Sequence, residues 1–73
     1  MSEVHSHYSV SLNGQDHEIR EGATLQDLLV QLHLAERRIA IELNGRIVPK
    51  SAHGQTVLES GAVIEIITAV GGG

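Results

Sequence analysis

An α+β fold of β-grasp type, with a mixed four- to five-stranded sheet and one helix packed across one face, is predicted by three features of the sequence. Asn13-Gly14 and Asn44-Gly45 each follow an alternating apolar stretch. That is the signal for a tight hairpin, because both turn residues tolerate positive φ. A single set of leucines at helical spacing lies between the two hairpins. The most apolar stretch, residues 63–70, comes last and is interrupted only by Glu65 and Thr68. Such a stretch suits a central strand with neighbours on both sides.

Each element follows from its residues. Tyr8, Val10 and Leu12 alternate with Ser9 and Ser11, the pattern of a half-buried strand, and residues 17–20 pair back across the turn. Gly22 closes that hairpin. Thr24 is placed as a helix N-cap, its hydroxyl accepting from the amide near Asp27 while Asp27 reaches back in a short capping box. Leu25, Leu28, Leu29 and Leu32 fall on one helical face. A helix of about nine to twelve residues is marginal alone, so the leucines must lie on a sheet. Ile39, Ile41 and Leu43 alternate with Ala40 and Glu42. Residues 46–48 return as a short partner, stopped by Pro49, which cannot donate to a ladder. Residues 51–55 read as a loop or one irregular turn, and residues 56–58 as a brief pairing before the Ser60-Gly61 turn. The opening and closing strands then lie parallel at the sheet centre, with the helix on one face. A ferredoxin-like fold would need a second helix between Val48 and Val63, where Pro49, Gly54 and Gly61 leave too little space.

Seventy-three residues give one domain near the lower limit for a self-supporting core. A deep catalytic cleft does not fit beside that core. The expected layout is a flexible leader over residues 1–7, the folded domain over residues 8–70 and a mobile glycine tail over residues 71–73. With no cysteine, disulfides and cysteine-based zinc sites are excluded. Five basic against nine acidic residues give a formal net charge of −4, which repels nucleic acid and anionic membranes. The Arg37-Arg38 doublet has no stacking platform beside it, since Tyr8 is the sole aromatic residue. Neither a signal-peptide pattern nor a membrane-length apolar run is present, and the expectation is a cytoplasmic protein, monomeric when free.

No phosphate-binding glycine loop, HExxH or ordered Ser-His-Asp set is present, so neither a catalytic residue nor a metal site is expected. His5 and His7 would point the same way in an extended segment, but two histidines lack a third ligand. His17, His33 and His53 read as surface histidines. Glu18 with Glu21, and Glu42 with Glu65, read as solvated neighbours on a sheet. What remains is the carboxylate of Gly73. Gly71, Gly72 and Gly73 form a thin, unbranched peptide suited to threading into another protein's narrow active site. Attack of that carboxylate on the α-phosphate of ATP would give an acyl-adenylate, from which a sulfur nucleophile could displace AMP. Nothing in the chain binds ATP, so nucleotide and magnesium would come with a partner and no cofactor is bound here. Ile66 and Ile67 are adjacent and both apolar, so at least one must face away from the helix. An aliphatic docking patch is therefore expected from Ile64, Ile66 or Ile67 together with Ile47 or Val48.

These residues resemble a known pattern. The turn Leu12-Asn13-Gly14, the helix entrance over residues 22–29 (GATLQDLL), the hairpin over residues 41–50 (IELNGRIVPK) and the closing GAVIEIITAVGGG over residues 61–73 resemble, in this order, the ThiS sulfur carriers of thiamine biosynthesis, which are ubiquitin-like. Ala62 stands where that family often has an acidic residue, and His53 where it often has an aromatic one. The resemblance implies that Gly73 is adenylated by an E1-like enzyme of ThiF type and converted to a thiocarboxylate. A source such as a cysteine desulfurase would supply the sulfur, which then passes to a thiazole synthase of ThiG type. The chain itself would be a carrier and not an enzyme. Two other readings stay open at this level: the small sulfur carrier of molybdopterin synthesis, and a β-grasp protein modifier or binding module without sulfur transfer.

Overall fold

A computed structural model describes residues 6–68. The elements in order are β1 (His7–Leu12), β2 (Gln15–Arg20), α1 (Leu25–Gln31), β3 (Ile39–Leu43), β4 (Arg46–Val48), a 3₁₀ helix (Lys50–Gln55) and β5 (Val63–Thr68). The five strands form one sheet in the order β2-β1-β5-β3-β4. The β1–β5 pair is parallel and the other three pairs are antiparallel. This is the β-grasp arrangement predicted from the element order.

Both hairpins turn on their Asn-Gly pairs. Asn13 and Gly14 have φ of 51° and 84°, and Asn44 and Gly45 have 52° and 86°. Positive φ at both central positions matches the right-handed twist of the flanking strands. The Thr24 cap forms as expected: its Oγ1 accepts from the Asp27 amide at 3.1 Å, and Asp27 Oδ2 accepts from the Thr24 amide at 2.9 Å. Two orphan amides of the first turn are thereby satisfied.

Leu25, Leu28 and Leu29 are buried against Val10, Ile19, Ile41, Leu58, Ala62 and Ile64. Leu32 packs at the margin. The helix has only seven residues, fewer than its leucine spacing predicts. It stops because the chain turns sharply after Leu32: His33 adopts φ of 62°, and the Leu34 amide donates to the Leu29 carbonyl at 2.7 Å. Leu34 thus joins the core from a turn instead of from a further helical step.

Other boundaries also shift. Strand β1 begins at His7, which pairs with Arg20, and the Ser6 carbonyl accepts from the Glu21 amide. The predicted leader therefore loses residue 7 to the sheet, and residues 1–5 lie outside the described residues. Residues 51–55, read as an irregular turn, belong to the 3₁₀ helix. The brief pairing expected over residues 56–58 forms outside the five-stranded sheet, as a single antiparallel bridge between Val57 and Thr24. It lies at the helix entrance, where the Leu25 amide donates to the Thr56 carbonyl and the Leu58 amide to the Ala23 carbonyl. Of the closing stretch, residues 63–68 form β5, and residues 69–73 lie outside the described residues.

His53 corrects the sequence reading. It is buried, not on the surface, and its Nε2 donates to the Val48 carbonyl at 3.1 Å. The imidazole ties the 3₁₀ helix to β4. Tyr8 makes a comparable link, its hydroxyl donating to the Leu58 carbonyl.

Because Leu28 is 1 % exposed at the centre of a small core, truncating it leaves a cavity that few neighbours can fill. Leu28→Ala is expected to lower unfolding free energy by about 2–4 kcal/mol. Urea unfolding followed by circular dichroism checks this, and an unchanged midpoint would contradict the packing described.

Candidate functional site at the open sheet face and the end of β5

Side chains on a strand alternate between its two faces. The helix covers one face, so every second residue of the central strands points away from it. On β5, Ile64 is fully buried and Ile66 packs on the core, whereas Val63, Glu65 and Ile67 are exposed. On β3, Ile39, Ile41 and Leu43 face the helix and leave Ala40 and Glu42 on the other side. On β4, Ile47 is exposed and Val48 packs inward.

The expected docking patch is corrected accordingly. Ile67 and Ile47 lie on the open face, at 54 % and 61 % exposure. Ile64, Ile66 and Val48 do not: strand parity turns all three toward the helix. Val63 takes their place, being exposed on the same side as Ile67. Its position four residues before Ile67 was the available signal, since even spacing on a strand preserves the face.

The register joins these residues. Ala40 is opposite Ile67, and Glu42 is opposite both Glu65 on β5 and Ile47 on β4. A row of Ile47, Glu42 and Glu65 therefore crosses three strands, with Val63 and Ile67 on either side of Glu65 along β5. Two carboxylates directly opposed across an antiparallel pair repel each other. Toward the β2 edge the same face carries Asp16, Glu18 and Arg20, so its charge is predominantly negative.

Where β5 reaches Thr68, a shallow hollow of about 260 Å³ is lined by Arg38, Ile39, Ala40, Ile67 and Thr68. Among the described residues Arg38 supplies its charge, a guanidinium beside the strand end from which the glycine tail continues in sequence. Gly71, Gly72 and Gly73 themselves lie outside the described residues. The other candidates are dispersed. His17 Nε2 lies 3.4 Å from Gln31 Oε1, between β2 and α1, and His33 is exposed in the turn after the helix. Among the described residues no cluster of three or more His, Cys, Asp or Glu side chains is placed to hold a metal, and no helix is long and apolar enough to cross a membrane.

The pattern of the ThiS family covers residues 10–73. The chain belongs to the ThiS family.

Similarity to individual proteins agrees with this membership. The sulfur carrier protein ThiS of Bacillus subtilis is 35 % identical over 65 residues, covering 88 % of this chain and 98 % of that one. The crystal structure of the thiamine biosynthesis protein ThiS from Geobacter metallireducens superposes with a TM-score of 0.76 at 26 % identity, covering 89 % of this chain and 99 % of that chain. A thiazole synthase of Magnetococcus marinus is 36 % identical over 64 residues, which are 88 % of this chain. The matched stretch is only 20 % of that longer protein, so this ThiS-family chain spans about one fifth of it.

Two outcomes test the assignment of faces. Ile64→Ser should cost roughly 3 kcal/mol or more, because it empties and polarises the core, whereas Ile67→Ser should stay within about 0.5 kcal/mol of the unsubstituted protein. Equal losses in chemical denaturation would contradict the parity. Glu65→Lys should replace repulsion by attraction across β3–β5 and raise stability by about 0.2–1 kcal/mol, read as a higher melting temperature.

Proposed function

We propose that this chain is a sulfur carrier of thiamine biosynthesis whose reacting group is the carboxylate of Gly73. The observation that carries the reading is that the ThiS match runs through residue 73 and so includes the glycine tail. In this reading the carboxylate attacks the α-phosphate of ATP, pyrophosphate leaves, and an acyl-adenylate results. A sulfur nucleophile then attacks the acyl carbon and expels AMP, leaving a thiocarboxylate. In this reading the nucleotide site belongs to a partner: an E1-like adenylating enzyme of the cytoplasm brings ATP and magnesium and stabilises the developing charge. The chain is a co-substrate, acted on by its partners.

Glycine at positions 72 and 73 suits this role because no Cβ widens the peptide or restricts its dihedrals on entering a close-fitting channel. The face formed by Ile67, Ile47, Val63 and Ala40 is the docking surface. Its opposed Glu42 and Glu65 call for a partner that brings apolar groups and at least one cation, which would relieve the repulsion described above. Thiazole synthase is the proposed acceptor of the sulfur. A stretch similar to this chain within a protein named thiazole synthase in another organism supports that pairing. Family membership favours thiamine over molybdopterin synthesis.

The test incubates the protein with the activating enzyme of its own organism, ATP, magnesium and labelled pyrophosphate, and follows exchange of label into ATP. Deleting Gly72 and Gly73 is expected to abolish exchange while the circular dichroism spectrum stays the same. Protein isolated from cells should contain a fraction whose intact mass is higher by the difference between sulfur and oxygen. Full exchange by the truncated protein would overturn the reading in favour of a binding module.

A further inference from the structure

We infer that Asn13 is a positioning residue for the C-terminal tail, its side-chain amide standing in for the β1 backbone that the turn removes from beside β5. This rests on the carrier reading above. Backbone rungs join β1 to β5 up to the hairpin: the Ser11 amide donates to the Ala62 carbonyl and the Asn13 amide to the Ile64 carbonyl, both at 2.8 Å. The next pair of groups on that edge of β5 belongs to Ile66. By then the β1 chain has turned away at Gly14, and no backbone is left to meet it. Asn13 meets it with its side chain instead. Its Oδ1 accepts from the Ile66 amide at 2.7 Å, and its Nδ2 donates to the Ile66 carbonyl at 3.3 Å.

A carboxamide is the side chain that can do this, since it offers one acceptor and one donor in the plane of a peptide group. Asparagine also tolerates the φ of 51° that the turn requires at this position. One residue thus serves the turn and the ladder together. Asn44, at the other hairpin, makes the mirror arrangement on the opposite edge of β5: its backbone amide donates to the Val63 carbonyl at 2.7 Å and its Oδ1 accepts from the Val63 amide at 2.9 Å. The two turns grip the two ends of one strand. Asn44 holds the end where β5 begins, and Asn13 holds the end from which the sequence runs on to the glycines.

The Asn13 bonds are exposed, where a hydrogen bond contributes little net stability because water competes for both partners. What they fix is direction. Ile66 is two residues before the end of β5, and the path of its backbone sets where the following residues leave the sheet. An acyl carbon that must meet an α-phosphate in line is sensitive to such a direction, since displacements of about 1 Å can lower a rate by up to a hundredfold. Docking through the open sheet face uses other residues, so loss of the clamp should leave binding intact and slow the reaction.

Matched variants separate this from a general loss of stability. Asn13→Gly and Asn44→Gly both keep positive φ available and each removes one side-chain clamp on β5. Asn13→Asp keeps the shorter bond, to the Ile66 amide. In the full-length free protein, amide hydrogen exchange at Ile66 should accelerate in Asn13→Gly and stay slow in Asn44→Gly, with the reverse at Val63. In pyrophosphate exchange with the activating enzyme, Asn13→Gly should lower kcat about tenfold with KM for the carrier within about twofold. Asn44→Gly should leave kcat unchanged, and Asn13→Asp should restore most of it. Equal kcat for Asn13→Gly and Asn44→Gly, or unaltered exchange at Ile66, would overturn the inference. An unsubstituted protein that supports no exchange at all would instead overturn the carrier reading, and this inference would fall with it.

Discussion

The structure depends on the insertion of β5 between β1 and β3. The two hairpins are not hydrogen-bonded to each other; each pairs with β5 alone. Without that strand the chain would hold two separate ribbons, and isolated two-stranded hairpins are at best marginal in water. Its inward side chains, Ile64 and Ile66, also provide the floor on which Leu25, Leu28 and Leu29 rest. Sheet closure and helix packing are therefore one event, joined at a single six-residue segment.

That arrangement divides labour between the faces of β5. The helix side holds the residues that make the domain fold. The opposite side is relieved of that duty, and it shows: Val63, Ile67 and Ile47 remain in water, and two glutamates oppose each other. Neither feature stabilises the free protein. A domain with so few buried residues has little free energy to spare for such a face.

Much of this was legible in the amino-acid sequence, and the failures have identifiable causes. Short-range rules worked where one residue type dictates one geometry, as at Asn13-Gly14, Asn44-Gly45 and the Thr24 cap. Alternation identified the strands, but facing direction on β5 required knowing which isoleucine met the helix. Two consecutive isoleucines leave parity undecided until a partner register is available, and Ile64 was misplaced for that reason. His53 reads as a surface residue in the sequence because its burial comes with the packing of the 3₁₀ helix against α1, an approach between distant segments that no local pattern announces. The helix is shorter than its leucine spacing predicts because His33 takes positive φ after Leu32, and Leu34 reaches the core from that turn. From the sequence, Asn13 and Asn44 are turn formers and nothing more. Their amides act on residues 53 and 19 positions away, and no local rule reaches so far.

The parallel pairing of β1 with β5 also has a mechanical meaning. The first and last strands run side by side in the same direction at the middle of the sheet, and β5 is flanked on its other edge as well. Tension applied between the two ends of the domain would pull these neighbours past each other lengthwise. Under that load the rungs share the force and must fail together, whereas a strand peeled from a free edge gives way one rung at a time. Pulled by its two ends, the domain would therefore meet the load with the central rungs of its sheet and not with a free edge.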